Sequence, residues 1–156
     1  MVAEFQQVNS TLYEKDYHLW ILETLKCLEK QNFQQLDLAH LIEEVESLSR
    51  RDKRKLESLL TRLLEHLLKL KYWQSEKDDN QDHWQGEIAV FRVQIQRELK
   101  ASPSLKRYLQ EIFPQCYQDA RYIISQKTKL TLTQLPADVS TALGNLEEIL
   151  SPDWLP

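Results

Sequence analysis

LESLLTRLLEHLLKLKYW, residues Leu56 to Trp73, decides the fold class of this chain. Its leucines at 56, 59, 60, 63, 64, 67 and 68 recur at the three- and four-residue spacing of one helix face. A stripe that wide suits the centre of a bundle, and the spacing predicts a helix from about Asp52 to Trp73. Upstream, Leu38, Leu41, Ile42, Val45 and Leu48 mark a helix over about Leu38–Arg50, with Asp37 as its N-cap. Tyr13, Tyr17, Trp20, Ile21, Leu25 and Leu28 mark an earlier one over about Leu12–Gln31, with Asn9, Ser10 and Thr11 as candidate caps. Asn32 to Leu36 is a short link.

Downstream, EKDDNQD (Glu76–Asp82) reads as a polar loop. Trp84, Ile88, Phe91, Ile95 and Leu99 then step by four, three, four and four along a helix over about His83–Ala101. Ser102-Pro103 reads as a cap with proline at the first helical position. It opens a fifth helix carrying Leu105, Leu109, Ile112, Tyr117, Ala120 and Ile124. Pro114 lies inside that helix and is expected to kink or restart it. Lys127–Ser140 reads as loop, Thr141–Ser151 as a short helix and Pro152–Pro156 as an extended tail.

Composition agrees with the periodicity. The 156 residues include only two glycines and five prolines, so the turn chemistry of many short strands is missing. Leu, Glu, Gln and Lys, all good helix formers, are abundant. The expected fold is all-α: an up-and-down antiparallel bundle of four to five long helices plus a short C-terminal one. One domain is expected over 1–156, with 1–11 as a flexible N-terminus and 127–156 as loop, short helix and tail. A domain of this length buries roughly 70% of its unfolded surface and needs no disulfide or metal staple.

Charge and cysteine usage bound the partners. A net charge of −4 offers no overall attraction to nucleic acid or to an anionic membrane. Cys27 and Cys116 form no CxxC pair and suit a reducing compartment. No signal-peptide core opens the chain, and no apolar run reaches the roughly 18 residues of a span. A cytoplasmic location is expected.

Several chemistries are excluded outright. With Gly86 and Gly144 alone there is no GxGxxG and no Walker A loop. HExxH is absent, no histidine has a Glu three residues before it, and no GxSxG elbow occurs.

What remains is a set of candidates. Glu43, Glu44 and Glu46 lie on the second helix, where Glu44 and Glu46 flank the apolar stripe. They read either as a metal-binding or acid/base pair or as a solvated helix flank. His66 sits beside the leucine stripe, as a packing residue or as a titratable ligand with a partner from another helix. Arg92, at the edge of the fourth helix's stripe, would bury its stem and needs an acceptor, for which a Glu is apt. Glu44, His66 and Arg92 are therefore expected to converge on one polar cluster. RRDKRK (Arg50, Arg51, Lys53, Arg54 and Lys55 around Asp52) reads as an electropositive elbow between two helices, a weak candidate for phosphate contact. Trp73 and Trp154, near helix or chain ends, are candidate partner anchors; core-edge packing is the plainer alternative.

Seven segments taken in order carry a resemblance. They are YEKDYHLW (13–20), LDLAHLIEEVESL (36–48), LLEHLLKLKYW (63–73), WQGEIAVFR (84–92), SPSLKRYL (102–109), YQDAR (117–121) and LSPDWLP (150–156). Together they resemble a widespread bacterial family, abundant in cyanobacteria, catalogued as the twenty-ninth in a series of domains of unknown function. The resemblance implies an all-helical bundle and brings no activity. Its motif positions correspond here to Asp16, Trp20, Asp37, Glu43, Glu44, Glu46, His66, Trp84 and Arg92. The chain departs from the family pattern before its last helix, where Leu135-Pro136 and Asp138–Thr141 replace a Phe-Pro start and a Cys-Pro-aromatic step.

Two functions are compatible with these residues. The first is a non-catalytic helical interaction module binding a protein partner or a second copy of itself, without cofactor. The other is a metal-assisted hydrolase or nuclease with Glu44, Glu46 and His66 as ligands and Arg92 nearby, needing a divalent ion held from separate helices. A small helical ribonuclease pairing Arg62 with His66 is a variant, though three intervening residues are fewer than the four to six that class usually has.

Overall fold

The computed structural model describes residues 2–156, the side chains of residues 5, 6, 7, 9 and 10 excepted. The fold is all-α, with no strand among the described residues. The chain divides into two compact units, Met1–Arg51 and Asp52–Pro156.

In the first unit, α1 (Val2–Lys15) and α2 (Tyr17–Glu29) replace the one helix expected over Leu12–Gln31. Asp16 divides them. Its backbone leaves the helical region at φ −148°, and its carboxylate accepts from Leu19 N at 3.0 Å as an N-cap. Because α1 already begins at Val2, the segment Asn9–Thr11 starts no helix; the side chains of Asn9 and Ser10 lie outside the described residues. A 3-10 turn, Phe33–Gln35, follows, and then α3 (Leu38–Tyr72).

α3 is one helix where two were expected. Nothing between Arg50 and Lys55 stops it, since that stretch holds no glycine or proline and its residues favour helix. Asp52 could cap a helix, but a cap does not end the preceding one. The second unit takes the rest of α3 and adds a 3-10 turn, Gln74–Glu76, then α4 (Lys77–Ala101) and α5 (Leu105–Lys127). The short α6 (Val139–Ala142) and α7 (Leu146–Leu150) follow. The expected EKDDNQD loop is mostly the first turns of α4. Asp78 and Asp79 lie there, where negative charge suits the helix dipole.

α5 runs through Pro114 without a break. The proline removes the bond to the Gln110 carbonyl, but Gln110 and Pro114 are both exposed, so water can satisfy that carbonyl. Pro114→Ala is therefore expected to stabilise the second unit by about 2 kcal/mol, the helix-interior penalty of proline less its unfolded-state advantage. Chemical denaturation would show the gain as a raised midpoint at unchanged m-value.

The second unit has the closed core that Leu56–Trp73 predicts. Leu56, Leu60, Leu63, Leu64, Leu67 and Leu68 are buried with Ile88, Phe91 and Ile95 of α4 and Leu109, Tyr117 and Ile124 of α5. The C-terminal segment closes over it with Leu135, Val139, Ala142, Leu143 and Ile149. Its irregular backbone is held by side chains. Lys71 Nζ and Tyr72 Oη donate to the Ala142 carbonyl at 2.7 and 3.2 Å, and Arg121 Nε donates to that of Leu135 at 3.0 Å. Tyr117 Oη donates to Pro136 O, so the loop that departs from the family pattern is bonded to the core. Asn145 and Glu148 form a capping box at the start of α7. Gly144 before it sits at φ +121°, where a Cβ would run into Glu148 Oε2.

Candidate functional site

The first unit behaves differently. On α2 and the first part of α3, apolar residues at helical spacing stay exposed: Tyr17, Ile21, Leu25 and Leu28 on the one, Leu38, Ile42, Val45 and Leu48 on the other. Of the two expected stripes only Trp20 is buried, at 3% exposure. A groove of about 310 Å³ runs between the helices, lined by Tyr17, Ile21, Leu25, Leu41, Val45 and Leu48 among others, with Glu44 and Arg51 at its edge.

Beside the groove lies a polar and aromatic cluster. The break at Asp16 leaves Tyr13 on α1 and Tyr17 on α2, and both hydroxyls reach Glu44. Tyr13 Oη donates to Glu44 Oε1 and Tyr17 Oη to Glu44 Oε2, each at 2.6 Å. Those two bonds hold the Glu44 carboxyl below its ordinary range. They also push the Tyr13 phenol up to about 12 and raise that of Tyr17. Asp37, buried at the start of α3, accepts from Trp20 Nε1 at 3.2 Å. His40 N approaches Asp37 Oδ1 at 3.5 Å, a long version of the expected N-cap bond. The imidazole Nδ1 of His40 lies 2.6 Å from Asp37 Oδ2; an ionised carboxylate only accepts, so the ring nitrogen donates. The same ring stacks on Tyr13 at 4.0 Å between centroids.

His40 and the tyrosine pair were missed as polar partners in the sequence. Their signals were present: Asp37 and His40 are three apart, and Tyr13 and Tyr17 are four apart on the stripe read only as apolar. Chemically, the cluster turns inward. Glu44 is an anion bonded through both oxygens, and the tyrosines stay protonated across the neutral range. The arrangement fixes α1, α2 and the start of α3 to one another.

The expected Glu44–His66–Arg92 cluster is corrected by the partners each residue has. His66 and Arg92 belong to the second unit, Glu44 to the first. His66 Nδ1 bonds to the Arg62 carbonyl at 2.8 Å, and its ring lies 5.3 Å from that of Phe91. Arg92, 5% exposed, donates from Nε to Ile149 O and from a terminal nitrogen to Trp154 O, both at 2.8 Å. Its acceptors are main-chain carbonyls at the chain's end rather than a carboxylate. Glu46 pairs with Arg50 at 3.6 Å on the exposed side of α3. Among the described residues no group of three or more His, Cys, Asp or Glu could hold a metal ion.

Burial lowers the His66 pKa, outweighing the bond to Arg62 O. The folded state thus favours the neutral ring. Its contribution to stability is complete above the unfolded value near 6.5 and is lost as pH falls through the lower folded value. An NMR titration of His66 is expected to give a midpoint below 6.5. His66→Gln should flatten the fall in stability just below that pH, and a midpoint at or above the ordinary value would contradict this.

The remaining candidates are placed as follows. Arg50 to Lys55 lies within α3 rather than on an elbow, so its cations spread around the helix instead of clustering on a turn. Lys55 Nζ bonds Glu98, and Lys53 Nζ stands 5.1 Å from the Tyr108 ring centroid. Trp73 stacks on Trp84 at 5.7 Å, and Trp154 is likewise half-buried against the second unit's core. Both are core-edge residues. Among the described residues no helix is long and apolar enough to cross a membrane.

A family model described as Domain of unknown function DUF29 matches residues 12–155. No curated protein and no solved structure matches the chain.

Proposed function

The chain belongs to the DUF29 family of domains of unknown function, and on that premise we propose that it is a non-catalytic helical interaction module of the cytoplasm. One observation carries the reading: the uncovered apolar face of α2 and the first part of α3. A lone soluble chain rarely leaves a contiguous apolar patch larger than a few hundred Å² facing water, and such a patch marks a binding surface. The polar groups beside it support the same reading, since Glu44, Asp37 and His40 bond to the frame that holds the face in shape. Both cysteines are free thiols, which suits a reducing compartment.

A photoactivatable residue at Ile42 tests this in the native cells. Illumination is expected to give one discrete adduct, whereas the same residue at exposed Gln110 on α5 should give none. No adduct at Ile42 would contradict the reading.

A further inference from the structure

We propose that the occupant of this face is an amphipathic helix of a partner protein whose apolar stripe is flanked by lysine or arginine. The inference deepens the interaction-module reading and rests on it. The shape of the face selects a helix. Ile21, Leu25 and Leu28 of α2 and Val45 and Leu48 of α3 stand exposed and line the groove between the two helices. On α3 the exposed apolar positions run from Leu38 to Leu48, about 15 Å of axis, which matches three turns of a helix laid alongside. Such a helix offers side chains at i, i+3, i+4 and i+7 and buries them between two others. Both walls are helices whose backbone groups are bonded within themselves, so an extended strand has no edge to pair with.

Charge selects the flanks. Residues 1–51 hold nine acids against five lysines and arginines, whereas residues 52–156 hold fifteen of each, so the net charge of −4 falls on the unit that carries the face. Acids also border the face. Glu29 lies four residues on from Leu25 along α2, and Glu46 four on from Ile42 along α3, so each exposed carboxylate stands at the edge of an exposed stripe. Among the described residues Glu29 makes no ion pair. The Glu46–Arg50 contact of 3.6 Å joins two side chains that are more than half exposed, a pair of little strength that a partner's cation can share. Arg51, on the groove itself, is already beside Glu44 and Tyr17 of the same chain.

The same charges weigh against other occupants. A second copy of the chain brings a first unit with the same surplus of acid, and an anionic lipid surface brings phosphates; both are repelled rather than steered. A cationic flank instead speeds the encounter and sets the register of the helix on the two carboxylates, while the apolar contacts supply the affinity.

Fluorescence anisotropy of labelled model peptides against the full chain tests the proposal. One peptide is a capped helix of about four turns with leucine at i, i+3, i+4 and i+7 and lysine on both flanks; the other carries glutamate in place of every lysine. The lysine peptide is expected to bind at micromolar concentration and about tenfold more tightly than the glutamate peptide, a preference that shrinks in high salt. Glu29→Lys with Glu46→Lys should reverse that preference, and Val45→Asn with Leu48→Asn should weaken both peptides. The peptide swap leaves the chain unsubstituted, so it decides even where a variant misfolds. Equal binding of the two peptides overturns the proposal, as does a preference that survives Glu29→Lys with Glu46→Lys. In the cell, the Ile42 adduct is expected to map to a segment with lysine or arginine beside its apolar stripe. An adduct on an acidic segment or on a second copy overturns the cationic-helix inference and leaves the module reading standing. The absence of any adduct removes both.

Discussion

Arg92→Ala is expected to destabilise the second unit by about 3 to 5 kcal/mol, because it strands two carbonyls that have a charged donor. The guanidinium bonds Ile149 O and Trp154 O, and the side chain is nearly inaccessible to water. Each hydrogen bond to a charged group contributes about 1.5–3 kcal/mol, and truncation also removes the packing of the stem. Arg92→Lys should recover only part of the loss. A lysine brings one compact ammonium, whereas the planar fork of arginine reaches two acceptors at fixed geometry. Urea denaturation gives the free energy, and amide exchange over Leu146–Leu150 should accelerate in the alanine variant. A loss under about 1 kcal/mol would mean that the tail is held by its apolar contacts alone, the ordinary effect of a surface change.

The second large effect is a contrast along a single helix. Leu64→Ala is expected to cost about 2–5 kcal/mol, the transfer term plus an unfilled cavity. Leu48→Ala, on the same α3, is expected to change the stability of the dilute chain by less than about 0.5 kcal/mol. Leu64 is inaccessible to water and Leu48 is 55% exposed, so their identical chemistry isolates burial as the cause. The comparison is made at the lowest measurable concentration, since association through the face would add stability by mass action. Equal losses at both positions would place Leu48 in a core.

Periodicity made the second unit legible. Leucines 56 to 68 and the Trp84–Ile95 run lie where helical spacing puts them, and both are buried. The same spacing at Leu38–Leu48 and Tyr17–Leu28 marks stripes of equal quality that no core covers. Spacing reports that a helix has an apolar side; it does not report what covers that side, which depends on the number of other faces the chain supplies. Boundaries failed where local chemistry is permissive. Asp16 divides α1 from α2 through a capping carboxylate, while Asp52, an equally plausible cap, lies inside α3. The site failed for another reason. A buried arginine was assigned a carboxylate partner because charges pair, but irregular C-terminal backbone also exposes carbonyls that lack partners, and Arg92 serves those. Glu44 reads from the sequence as a metal-binding or acid/base candidate or as a solvated flank, and its partners in the structure are two tyrosines that the spacing marks only as apolar.

The most direct test of the uncovered face is thiol labelling of Val45→Cys in a Cys27→Ser background, followed by mass spectrometry across a dilution series. In the dilute chain the thiol should react as fast as an unhindered one, because Val45 stands 58% exposed. A thiol that stays protected at every dilution would show that the chain covers this face itself, and the docking surface would be lost.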